Sequence, residues 1–190
     1  MDAFSYLSVL ISIVVGLALA HLLAGFGAMV RARARIALYW PLAAQMALMF
    51  LIQVQMWWAF FSLRGVGRWN FPEFLIVLLQ AVFVYLATTF LVPDLRDGDG
   101  GQVDLRQCYY REARWYFGAL LFAVLDSLVN NLLFRGGFRS LIDPAGHAAF
   151  IALAVAGIAT RRAWVHKIIA VVALLVFASY IALLFIPLPD

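Results

Sequence analysis

Apolar residues do not alternate with polar ones along this chain. They run for about twenty residues at a time, and short polar breaks separate the runs. A membrane-spanning helix needs ~20 largely apolar residues, and runs of this length without two-residue alternation are too long for barrel strands. The pattern predicts six spans, at about 4–30, 38–62, 72–92, 113–134, 140–160 and 165–186. Each break has a chemical cause. Arg31, Arg33 and Arg35 follow the first span, and Pro41 sits in the first turn of the second, where its missing N–H costs nothing. Gly65, Gly67 and Asn70 separate spans 2 and 3. Pro93, Asp97, Gly98, Asp99, Gly100 and Gly101 break the chain after span 3. Gly136, Gly137 and Pro144 mark the fourth connection, and Arg161 and Arg162 the fifth.

The longest connection, about 93–112, opens with Asp97 and Asp99 like a calcium loop. Gln102 then stands where such a loop needs glycine and Cys108 where it needs glutamate, so it reads as a solvated turn. Asp104 is placed to cap a short surface helix that leads into span 4.

Composition supports this pattern. Of 190 residues, 66% are hydrophobic and 13% charged, with a mean hydropathy of +0.95. A soluble domain is nearer 45–50% apolar and about 25% charged. The expected fold is all-α: a single domain over 1–190, an integral membrane bundle of six transmembrane helices. The first run is not read as a cleavable signal, because Asp2 precedes it and its basic flank comes after it.

The net charge of +4 and pI near 9.6 reflect loop orientation and anionic headgroups, not nucleic acid. The connections after spans 1, 3 and 5 hold ten basic residues: Arg31, Arg33, Arg35, Arg96, Arg106, Arg111, Arg114, Arg161, Arg162 and Lys167. Those after spans 2 and 4 hold four: Arg64, Arg68, Arg135 and Arg139. The positive-inside rule puts the ten in the cytoplasm and both termini outside, with a bacterial cytoplasmic membrane as the expected location. Trp40, Trp115 and Trp164 then fall at the inner interface, and Trp57, Trp58 and Trp69 at the outer. Cys108 is the single cysteine and makes no intrachain disulfide.

Candidate chemistry is sparse. No Walker loop, HExxH, GxSxG, CxxC or potassium-filter motif occurs. Asp126 is the one charged residue well inside a span, where an aspartate costs ~2.5–3.5 kcal/mol and must face protein or water. Asn130 follows one turn later, and Ser127 and Asn131 widen the polar face. Counted inward from the outer ends, Ser12, Gln53, Gln80, Asp126, His147 and Ser179 fall roughly 10–14 Å deep, one from each helix. The inner halves of spans 4–6 look apolar, while His21, Gln45, Thr88 and Thr89 come from spans 1–3. The candidate site is a polar pocket of Asp126, Asn130, Asn131, Gln53, Gln80, Ser12 and His147, open to the outside. Gln45, Met49 and Gln53 share one face of span 2, suited to amide bonds across helices.

Two further patterns concern packing. Ser8, Ser12, Gly16, Ala20, Ala24 and Ala28 put a small residue at every fourth position of span 1, and Ala148, Ala152, Ala156 and Thr160 do so in span 5. Such ridges suit close helix packing, within the bundle or as a homodimer seam. Tyr85, Ala87 and Phe90 recur as Tyr180, Ala182 and Phe185, which would fit an inverted repeat of three helices, but the match does not extend further.

No metal site is expected, and no cofactor, although His21, His147 and His166 leave ligation of haem by a single histidine open. Nothing in the pattern names an enzyme: Asp126 has no nucleophile beside it, since Ser127 points about 100° away around the helix. The functional expectation is a small channel- or transporter-like protein. Its rival is an accessory, assembly or sensor subunit, in a homo-oligomer or larger membrane complex, whose polar residues serve only structure. The orientation has a direct test: a C-terminal reporter that fluoresces only in the cytoplasm stays dark, and bright cells would overturn the assignment.

Overall fold

The computed structural model describes residues 3–66, 69–95, 102–137 and 142–184. Apart from two strands of two residues, the regular structure among them is helical: α1 (Ala3–Arg31), α2 (Trp40–Phe60), α3 (Phe71–Leu91), α4 (Leu105–Arg135), α5 (Ile142–Ala159) and α6 (Ala163–Leu184). A 3-10 segment, Phe61–Gly65, extends α2. Five helices are long and apolar enough to cross a membrane. The sixth, α5, has 18 residues, or ~27 Å of rise, and packs against both α4 and α6.

Local chemistry sets the boundaries. Pro41 opens α2 as expected. Asn70 and Glu73 form a reciprocal capping box at the start of α3: Asn70 Oδ1 accepts from the Glu73 N–H at 2.9 Å, and Glu73 Oε2 from the Asn70 N–H at 3.1 Å. Gly136, at φ 66°, ends α4 in the left-handed conformation that glycine adopts without strain. Asp104 does cap a helix, accepting from the Arg106 N–H at 2.8 Å. The expected short surface helix and span 4 are, however, one helix of 31 residues. At ~46 Å it exceeds a hydrocarbon core of ~30 Å, and its first turns carry Arg106, Arg111, Glu112 and Arg114.

One end of the bundle gathers the basic connections. Strands β1 (Ile36–Ala37) and β2 (Val103–Asp104) pair in parallel and tie the α1–α2 connection to the start of α4. Tyr39 stands in that connection, just before α2. The Tyr39 and Tyr110 hydroxyls lie 3.0 Å apart, and burial, followed by the Tyr110 bond, pushes the Tyr39 hydroxyl above its ordinary range, so it stays protonated. Arg68, Arg96, Arg139, Asp97 and Asp99 lie outside the described residues, as do 1–2 and 185–190, including Phe185 of the repeat comparison. Within that comparison, Thr88 is buried, whereas Leu183, at the same offset, is exposed. The two segments therefore do different packing work.

Of the two roles expected for the ridge of α1, packing within the bundle is not the one observed. Gly16, Ala20 and Ala24 are exposed, and Ser12 is half-buried and donates to the Ser8 carbonyl. The face turned into the bundle is the bulky one: Leu7, Ile11, Val15, Ala18, Leu22 and Met29. Larger side chains make more dispersion contacts with α2 and α3 than a row of small residues could, and they take the inner face. In span 5, too, Ala148 and Ala152 are exposed. Close approach occurs elsewhere, at the buried Gly157, where an added Cβ would lie 2.5 Å from a ring carbon of Phe117 in α4. Gly157→Leu should therefore lower the thermal unfolding temperature in detergent, at a cost of about 1–3 kcal/mol. Gly16→Leu, with nothing within 4 Å of its Cβ position, should leave the monomer's stability unchanged. The reverse ranking would contradict this packing.

Candidate functional site

A cavity of about 140 Å³ lies in the half of the bundle away from the basic end. Its polar lining includes Gln80 on α3, Ser127, Asn130 and Asn131 on α4, His147 on α5 and Tyr180 on α6. Ser62 and Leu63 of the 3-10 segment border its outer part, and Val84 and Leu120 lie deepest along their helices. A larger hollow of about 380 Å³ lies between α1 and the end of α2, walled by Phe4, Leu7, Ile11, Trp57 and Trp58. Ser8 is the one hydroxyl among its lining residues and bonds its own helix, so that hollow has little chemistry to offer.

Two hydrogen-bonded groups border the polar cavity. In the first, Asn130 Nδ2 donates to Gln80 Oε1 at 3.0 Å and to Asp126 Oδ2 at 2.9 Å, with the Asp126 carbonyl also 3.1 Å away. Asn130 Oδ1 is buried and has no hydrogen-bond partner among the described residues. Asp126 does not line the cavity. It stands behind Asn130 on the same face of α4 and holds that amide, and this corrects its place at the centre of the expected pocket.

The second group does not stand out as a unit in the sequence. Ser127 Oγ lies 3.0 Å from His147 Nε2. His147 Nδ1 lies 2.8 Å from the carbonyl oxygen of Asp143 and 3.4 Å from its carboxylate Oδ1. The Tyr180 hydroxyl donates to that same Oδ1 at 2.9 Å. A carbonyl oxygen only accepts, so Nδ1 carries a proton, and in the neutral form of the ring Nε2 then accepts from the serine hydroxyl. Asp143 and His147 are both buried. Asp143 begins a helix, where a carboxylate is ordinarily solvated, and depth counting does not select it. The available signal is its spacing of four from His147, which puts both on one face.

Other expected members lie elsewhere. Gln53 is buried, as are Gln45 and Met49 on the same face of α2, but its Nε2 donates to Thr88 Oγ1 at 3.0 Å and it does not reach the cavity. Ser12 is on α1, outside the cavity, and Ser179 is exposed. Of the seven expected pocket residues, the structure brings together Gln80, Asn130, Asn131 and His147, with Asp126 behind them.

The basic half is packed, but it is not apolar as expected. Tyr109, Tyr116, Phe117 and His166 are buried there. Tyr116 donates to Gln45 Oε1 at 2.8 Å. His166 has no exposed surface; its Nδ1 lies 2.9 Å from the Tyr109 hydroxyl and its Nε2 2.7 Å from the Thr160 carbonyl. Both ring nitrogens of His147 and of His166 are thus engaged, and neither offers a lone pair to a haem iron while these bonds stand. Among the described residues no three His, Cys, Asp or Glu side chains gather as metal ligands.

No family model matches the chain, and no curated protein or solved structure matches it.

The site's geometry sets a stability test. Asn130→Leu strands Gln80 Oε1 and Asp126 Oδ2 and should cost about 1–3 kcal/mol. Asp126→Asn keeps an oxygen that accepts from Asn130 and should unfold close to the parent temperature. An Asn130→Leu protein as stable as the parent would contradict the amide network.

Proposed function

We propose that this chain is a six-span protein of a bacterial cytoplasmic membrane, with both termini outside, that admits a small polar or amphiphilic solute from the outer side. The carrying observation is the contrast between its halves: a cavity edged by amides, Ser127 and His147 in one, and the buried Tyr109–Tyr116–Phe117–His166 layer in the other. That contrast supports a channel- or transporter-like role in which the outward pocket is open and the inward path closed. The loop charge asymmetry supports the orientation, and the contacts of α5 with α4 and α6 support its crossing beside them. A second reading has its own support. The exposed small-residue face at Gly16, Ala20 and Ala24 suits a partner helix, as an accessory subunit of a larger complex would need.

Accessibility tests the proposal. In a Cys108→Ser background, the single variants Asn131→Cys and Ser127→Cys should react with a membrane-impermeant thiol reagent added from outside, the thiol at position 131 faster than the one at 127. Ala119→Cys, at a buried position, should be inert. Labelling at 119 equal to that at 131 would mean an open pore. Inert thiols at both 131 and 127 would mean a dry bundle, and the accessory reading would replace this one.

A further inference from the structure

We infer that Ser127, His147 and Asp143 form a nucleophile–base–orienter set that cleaves carboxylic esters of membrane lipids within this cavity. The inference adds an activity to the proposed pocket and rests on small molecules entering it. Three observations carry it. The first is the direction of the bonds. The Nδ1–H of His147 is committed to Asp143, which leaves the Nε2 lone pair facing the Ser127 hydroxyl at 3.0 Å. This is the tautomer a general base requires, and the carboxylate 3.4 Å from Nδ1 stabilises the imidazolium that forms when the base takes a proton. Asp143 is itself fixed by the Tyr180 hydroxyl.

The second observation is space and a donor beside the nucleophile. Ser127 and His147 both line the cavity, whose remaining wall includes Phe134, Phe150 and Phe177, apolar surface suited to an acyl chain. Asn131 lines it too, one helical turn from Ser127 on the same face of α4. It is buried, and from this place its side-chain amide can donate to an oxyanion formed beside Ser127.

The third observation is depth. His147 is five residues from the first residue of α5, or ~7.5 Å along the axis. With α5 crossing a hydrocarbon core of ~30 Å, the pair lies in the outer part of the span, within about two helical turns of the layer where the carbonyls of lipid esters sit.

The chemistry balances without a cofactor. Ser127 Oγ adds to the ester carbonyl carbon as its proton passes to His147 Nε2. The tetrahedral intermediate collapses, the carbon–alkoxy bond breaks, and Nε2–H protonates the departing alcohol. Water, deprotonated by Nε2, then adds to the acyl-serine. Collapse of that adduct releases the carboxylic acid and returns the proton to Ser127. Ser127 and His147 are the catalytic residues. Asp143 and Tyr180 are positioning residues.

The test is a fluorophosphonate probe with the purified full chain in nanodiscs, followed by peptide mass spectrometry. The serine oxygen displaces fluoride from phosphorus, so labelling reports an activated hydroxyl. The account expects a phosphonyl adduct on Ser127, none in Ser127→Ala, and at least a tenfold slower reaction in His147→Gln. With p-nitrophenyl butyrate as substrate, Asp143→Asn should lower kcat about tenfold or more and leave KM within about twofold, a split that loss of fold would not produce. Parent chain that stays unlabelled would overturn the inference, as would labelling that survives His147→Gln at full rate. Thiol access in the Asn131→Cys variant, measured in the same nanodiscs, separates the two claims. A reactive thiol at position 131 with an unlabelled Ser127 overturns the esterase and leaves the pocket standing. An inert thiol there with an unlabelled Ser127 overturns both.

Discussion

A polar side chain buried away from water must find its partner inside the protein or lose several kcal/mol. That requirement organises the interior of this bundle. With five of its helices apolar enough to lie in lipid, hydrophobic burial does little to discriminate one helix face from another, since lipid tails receive leucine as readily as protein does. Shape and polar pairing decide instead. Gln53 meets Thr88, Gln45 meets Tyr116, Tyr109 meets His166, and Ser127 meets His147. Each pair joins two helices, so together they fix how α2, α3, α4, α5 and α6 are rotated about their axes. The bulky face of α1 closes the assembly by packing, and its hydroxyls at Ser8 and Ser12 return to their own helix.

The same rule makes the two halves of the bundle differ. In the basic half Tyr116 pairs with Gln45 and Tyr109 with His166 among large rings, and the space is filled, although the buried Gln45 Nε2 has no partner among the described residues. In the other half the amides, hydroxyl and imidazole line a cavity, and the buried Asn130 Oδ1 has no partner among the described residues. Both halves hold a buried polar atom without a partner among the described residues, and the cavity gives room beside it in one of them. A binding pocket and a reactive serine are two uses of that room.

Much of this is legible in the sequence, and what is not has a physical cause. Six helices, their breaks at Arg31, Pro41, Asn70, Asp104 and Gly136, and the polar cluster on α4 follow from run length, charge and capping chemistry, which are local. Counting residues inward from helix ends also finds Gln80 and His147, because depth depends on rise alone, and the two asparagines follow from their spacing to Asp126. Rotation about the axis is not legible. Gln53 and Ser12 sit near the expected depth but face other neighbours, and the small-residue ridge of α1 faces outward. Asp143 escapes a reading by depth because a charged residue at a helix start is ordinarily solvated. It is buried here through contacts with His147 and Tyr180, from one turn along its own helix and from a helix 37 residues away.

The central claim is that water reaches one half of this bundle and not the other. Hydroxyl-radical footprinting of the intact chain in nanodiscs reads this at each aromatic side chain, because radicals made from nearby water oxidise the rings they touch. The account predicts rapid oxidation of Tyr180 and Phe134 at the cavity and protection of Tyr116 and Phe117 in the packed half. Equal oxidation of Tyr116 and Tyr180, or protection of all four, would contradict it.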